Sequence, residues 1–443
     1  NQGSNNIMIG CEIGVTLTTG GENIFMGKRA AHCKQTGNYN IAFGSSALEG
    51  SSSASSNTGT RNVAIGRCAA YGVTSGSSNV FLGTYAGRDV TTGGMNIAIG
   101  KYAMHDGTTT GTQNIAMGCD AGGSITSGSY NLLFGRDAAK GLTTGSNNIA
   151  MGTGTLGGDL DAATTGVNNI MIGNLSAVGA TSATRNTVVG DNAGRCLVDT
   201  GCNALFGVYA GQRMRGSYNA AFGKGALGGS GTAGNNTGGC NVAIGLEAGY
   251  SMTSGTDNVF IGKWAGYTTA GGGCNIALGD SAGKSMSSGN RNIFIGKDAA
   301  CGATITGDHN IAFGACTGKA LTSGVNNVLI GKSAACNLAS GGDNIAIGDC
   351  AGYSVTGGCN IFLGRMAGYN ENDGQYQVYM GFLAGYQMQG DTNIGIGKCA
   401  LKGSSTPSNN SGSQNIALGN DAGNSMTSGS QNIFLGMQAG NTN

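Results

Sequence analysis

The chain has 443 residues, including 87 Gly, a single Pro (Pro407) and only 10% charged residues, and its formal charge is +1. That balance leaves no electrostatic footprint for nucleic acid or an anionic membrane, and no run of 18 apolar residues exists to span a bilayer. The Gly lacks the every-third period of collagen, and the periodic large apolar residues argue against disorder.

Read from the N-terminus, where neither Met nor a signal-like segment precedes Asn1 and a processed or partial product is expected, one phrase returns from Asn6 to Asn432. It consists of Asn, three mostly apolar residues and Gly, and it occurs 25 times; 15 of the 24 spacings are 17 residues. Only Gln377 departs from Asn at the head of the phrase, and the Gly four residues later is invariant. A small residue follows at position seven, and Leu, Val, Met or Ile often returns near position eleven (Leu142, Met252, Met286, Leu321, Val355), ahead of a Thr/Ser–Gly segment.

Alternation places positions one and three on the same face of a strand, here expected to be the core. Gly at position four and the Thr/Ser–Gly segment each make a turn. One strand and two turns in 17 residues predict one coil of an all-β parallel solenoid, each coil burying its face against its neighbours. About 25 coils would form a rod roughly 120 Å long at the strand spacing. The Asn column (Asn23, Asn79, Asn96, Asn258, Asn275, Asn292, Asn310, Asn344) predicts an amide ladder from coil to coil.

Charge tests the coil length. Five residues after the Asn, successive repeats carry Lys263, Asp280, Lys297, Ala315, Lys332, Asp349 and Arg365. One repeat per coil makes opposite charges neighbours, whereas two would stack Lys on Lys. Position two alternates in size through Phe260, Ala277, Phe294, Ala312, Leu329, Ala346 and Phe362. With positions one and three inside, position two is expected outside. That makes Phe25, Phe81, Phe260, Phe294, Leu329, Phe362 and Phe434 candidates for an interface between copies.

Four longer spacings follow repeats ending in Leu48, Leu156, Leu227 and Leu401, which are expected to pack beneath projecting loops at 51–57, 158–164, 229–238 and 403–411 within one continuous solenoid domain, 1–443. The 14 cysteines show no same-column partner on the next coil. The pairs Cys240/Cys274, Cys301/Cys336 and Cys316/Cys350 fall two coils, about 9.6 Å, apart, beyond disulfide reach. Free thiols filling small positions are expected, and with them a reducing compartment; a bridge between columns, such as Cys196 with Cys202, is the alternative. With three His and no Cys-x-x-Cys, no metal or cofactor is implied. The dinucleotide-like strings at Gly152 and Gly223 are repeat units with no helix to follow. Tyr353, Tyr369 and Tyr386, nine residues after the ladder position on consecutive coils, are ligand-contact candidates or packing beneath turns. The Thr/Ser column (Thr18, Thr91, Thr143, Thr253, Thr322, Thr427) reads as a turn or as an ice-binding hydroxyl array.

The stretch "NVAIGRCAA" (Asn62–Ala70) resembles the head repeat of trimeric autotransporter adhesins, and "LTTGSNNIAMG" is similar to shaft repeats of phage and viral tail fibres. The resemblance covers almost the whole chain. It implies a left-handed parallel β-roll, trimerisation and an extracellular, virion-surface or cell-surface location. The expected function is a non-enzymatic structural or adhesive fibre or self-assembling filament. Its partners are further copies of itself, with surface glycans or a host receptor; an ice- or glycan-binding module is the alternative. No nucleophile–base set or carboxylate pair recurs outside the repeat, so no enzyme is expected.

Overall fold

Asn, three residues of mostly high strand propensity and Gly form one short strand per repeat. The computed structural model carries 25 such strands, from β1 (Ile7–Ile9) to β25 (Ile433–Leu435), and no helix among the described residues. Those residues are 3–52, 56–157, 163–229, 236–302, 304–370, 373–405 and 410–441. Two units divide at Asn219/Ala220. The first holds β1 to β12 (Ala204–Phe206), and the second holds β13 (Ala220–Phe222) to β25. Within each unit the strands are parallel and pair with the next repeat, as in Ile276↔Ile293, Ala277↔Phe294 and Leu278↔Ile295. One repeat is therefore one coil of a parallel β-solenoid.

The invariant Gly has a steric cause. Gly296 has φ 129°, and a Cβ there would lie 2.5 Å from the carbonyl oxygen of Gly314 on the next coil. The residue before each ladder Asn is left-handed in spite of its side chain, as at Arg291 (φ 55°) and His309 (φ 60°). Such a conformation costs on the order of 1 kcal/mol per non-Gly residue. It is held by inter-coil bonds: the Arg291 N–H donates to Gly273 O and that of His309 to Asn290 O, both at 3.0 Å.

The strand faces are the reverse of the sequence expectation. The central residue points inward, and Phe25, Phe81, Phe260, Phe294, Leu329 and Phe362 are fully buried, so they are core and not interface. Phe434 is partly covered in the last strand. Positions one and three face outward. Each three-residue strand turns only its central side chain inward, and the neighbouring columns accommodate the volume of that side chain. A Cβ on Gly87 would meet the Phe81 ring at 2.2 Å; Gly368 with Phe362 and Gly385 with Tyr379 give 2.4 and 2.3 Å. Phe260 packs between Ala243 and Ala277, large on small. Leu142, Met286, Leu321 and Val355 complete the interior, and Leu48, Leu156, Leu227 and Leu401 are fully buried.

The predicted loops lie partly outside the described residues. Two of them are held by a buried Asn in the same way. Asn57 Nδ2 donates to Cys33 O (2.7 Å) and Ser51 O (2.8 Å), and Asn410 Nδ2 to Gln387 O and Ser404 O, both at 3.0 Å.

All eight predicted ladder Asn are fully buried. The N–H and Nδ2 of Asn310 donate to Asn292 Oδ1 at 2.9 and 3.1 Å, and Asn292 Nδ2 donates to Gly307 O at 2.9 Å. Each amide thus satisfies both coil neighbours. Gln377 keeps the ladder: its N–H donates to Asn360 Oδ1 and its Oε1 accepts from the Asn393 N–H. Asn292→Ala strands two buried donors of Asn310 and is expected to cost about 2–4 kcal/mol in denaturant unfolding; Asn292→Gln is expected to cost less than half of that.

Lys34 occupies the interior column filled elsewhere by Leu17 and Val73. It is fully buried, and its Nζ has no hydrogen-bond partner. Burial pushes its pKa down to about 8. Between about pH 8 and the ordinary Lys value the unfolded chain holds more protons than the folded one, so stability rises with pH across that window. Lys34→Met is expected to stabilise the first unit by about 3 kcal/mol at pH 7, the gain fading towards pH 10.5. Urea unfolding at both pH values measures this.

Candidate interaction surface

Because the strand centres are taken up by the core, the first and third residues form two parallel apolar columns on the outer face. In the second unit Phe222, Ile244, Ile261, Phe313, Ile347 and Ile396 are 38–52% exposed. Met26, Phe43, Val80 and Leu82 continue the same pattern within the first.

The Tyr candidates form a ladder of their own. Tyr353 and Tyr369 stack at 5.0 Å between ring centroids and Tyr369 and Tyr386 at 5.2 Å, with interplanar angles of 10° and 21°. Ring faces are spent on one another, so a sugar stacking on an aromatic face finds one only at the ladder ends. Tyr250 and Tyr267 repeat the arrangement.

The Thr column also points along the axis. Thr18, Thr143, Thr253 and Thr322 donate their hydroxyl protons to backbone carbonyls of the next coil at 3.0, 3.2, 2.7 and 2.8 Å. A second polar ladder was not read from the sequence. Two residues before the ladder Asn, a side-chain oxygen accepts a backbone N–H from the preceding coil: Ser129 N–H to Ser146 Oγ (3.0 Å), Gly273 N–H to Asn290 Oδ1 (2.9 Å) and Asn290 N–H to Asp308 Oδ1 (2.6 Å). Its signal was the recurrence of Ser, Asn and Asp in that column, as at Ser129, Ser146, Asn290 and Asp308.

All 14 cysteines are free thiols. Only Cys336 and Cys399 are buried, while Cys11, Cys119, Cys202, Cys240, Cys274 and Cys359 are exposed, which corrects the expectation that cysteines serve mainly as fillers. Burial pushes the thiols of Cys336, Cys399 and the half-buried Cys301 up, away from the reactive thiolate. His105 Nε2 lies 2.8 Å from Asp106 Oδ1. Among the described residues no three His, Cys, Asp or Glu side chains converge as a metal site.

The chain matches no protein-family model and no curated protein.

Alkylation with iodoacetamide at pH 8 is expected to modify Cys202, Cys240, Cys274 and Cys359 at least tenfold faster than Cys336 and Cys399, with peptide mass spectrometry as the readout.

Proposed function

We propose that the chain is a non-enzymatic structural or adhesive fibre subunit that associates with copies of itself through its outer strand face, as a homo-oligomer, in the first instance a trimer, at a virion or cell surface. The observation that carries this reading is the exposed apolar column of third-position residues, flanked by the half-buried first-position column. In the second unit alone the most exposed of these side chains present on the order of 600 Å², the upper end of what monomers leave open. A second copy of the same face is the natural cover, because it offers aliphatic columns of the same period along the same length. The resemblance of "NVAIGRCAA" to trimeric adhesin heads supports three copies around a common axis.

Ice binding by the Thr column and glycan stacking on the Tyr column are less favoured. Thr hydroxyl protons are committed to backbone carbonyls, and the Tyr faces cover one another. Sedimentation equilibrium is expected to give about three times the 43.8 kDa chain mass. Ile244→Lys combined with Ile261→Lys is expected to give a folded chain of single mass. A wild-type monomer at 50 μM concentration or above, or retention in an ice-affinity partition, would overturn the proposal.

A further inference from the structure

Beyond the strand face, one edge of the second unit carries a charge pattern that coil pairing does not explain. Five residues after each ladder position, every second coil bears a cation: Lys224, Lys263, Lys297, Lys332, Arg365 and Lys398, all exposed. The coils between them bear Leu246, Asp280, Ala315, Asp349 and Phe382. If the column existed only to neutralise charge between neighbouring coils, each intervening position would be acidic. Two of the five are, and just one ion pair forms within the row, Arg365 Nε to Asp349 Oδ2 at 3.6 Å. The cation period is stricter than its pairing.

The backbone holds this column in register. The N–H of the following residue donates to the column carbonyl one coil back: Glu247 to Lys224, Trp264 to Leu246, Ser281 to Lys263 and Asp298 to Asp280, at 2.8–2.9 Å. Cations therefore recur every two coils, about 9.6 Å. That is close to the length of one disaccharide in an extended pyranose chain. The intervening residues suit the other sugar of such a unit. Asp280 and Asp349 accept hydroxyl hydrogens, while Leu246, 39% exposed, offers apolar contact to a ring face and Phe382 carries the Arg365 guanidinium 5.8 Å from its ring centroid. Glu247 and Asp298 also border the row, so it is not a uniform positive field. A polymer with an acid on every sugar would place every second carboxylate against Asp280 or Asp349.

We propose that this edge binds a linear acidic polysaccharide carrying one anionic group per disaccharide, aligned along the solenoid with its acidic sugars on the cation row. The site is separate from the strand face and does not rest on self-association.

The test uses the full chain and a hyaluronan dodecasaccharide, which has one carboxylate on alternate sugars, with polygalacturonate, dextran and oligo-dT as comparators, by fluorescence anisotropy at 50 mM salt. Hyaluronan is expected to bind at least tenfold more tightly than any comparator, and the affinity to fall as salt screens the charges. The decisive variant exchanges charges at constant composition: Asp280→Lys with Lys297→Asp and Asp349→Arg with Arg365→Asp. It keeps the net charge, breaks the two-coil period and is expected to lower hyaluronan affinity at least tenfold. Replacing Lys224, Lys297, Lys332 and Lys398 by Gln is expected to lower it by about 80-fold, roughly threefold per exposed charge; Arg291→Gln with Lys402→Gln, off the row, changes it less than twofold. Equal binding by the exchanged variant, tighter binding of oligo-dT or polygalacturonate, or no preference for hyaluronan over dextran overturns the proposal.

Discussion

The buried amide ladder is the constraint on which the rest of the structure depends. Along most of the column a side-chain oxygen accepts both the backbone N–H and the Nδ2 of the next coil's Asn, as Asn258 does from Asn275 at 2.9 and 3.0 Å. An interior polar group without such partners costs about 1–3 kcal/mol, so the column tolerates little besides Asn. The ladder fixes the register of every coil, and register fixes everything outside it. The corner Gly must lie against the next corner's carbonyl, the central strand residue must enter the interior, and the flanking columns must repeat at the coil spacing. Variation is confined to the turns, where whole loops are inserted after Leu48, Leu156, Leu227 and Leu401 without disturbing the Asn register; Asn62 still donates to Asn40 Oδ1 across 22 residues.

The repeat, the coil length and the ladder were legible in the sequence because each rests on a strict column: Asn, Gly, and charges that alternate between adjacent repeats. The parity of the strand was not. In "NIFIG" (Asn292–Gly296) three successive apolar residues make both faces apolar, so the period of two is present but has no sign. The sign lay in volume compensation between distant columns, Phe81 with Gly87 and Tyr379 with Gly385, which becomes visible once the turn brings those columns together. Lys34 was equally hidden, since nothing local marks an interior lysine when Leu17 and Val73 fill the same column.

Reversing the parity changes what the surface says. Phe294 is a core residue, and the sticky face belongs to Ile293 and Ile295 with their counterparts on neighbouring coils. The Tyr and Thr columns, which look like ligand surfaces when read as residue types, are spent on coil-to-coil contacts. The surfaces least committed to coil-to-coil contacts are the outer apolar columns and the spaced cations on the adjoining edge, of which Lys263 lies over Trp264 and Arg365 pairs with Asp349. A molecule built this way suits a repetitive partner better than a compact one, whether the partner is another copy or a polymer.

Photo-crosslinking tests the central claim, that the outer strand face joins copies of the chain, most directly. With benzoylphenylalanine replacing Ile261 on the strand face, irradiation is expected to give covalent multimers in high yield. The same group replacing the exposed Ser254 in the turn is expected to give little. Multimers from position 254 and none from position 261 would contradict the account.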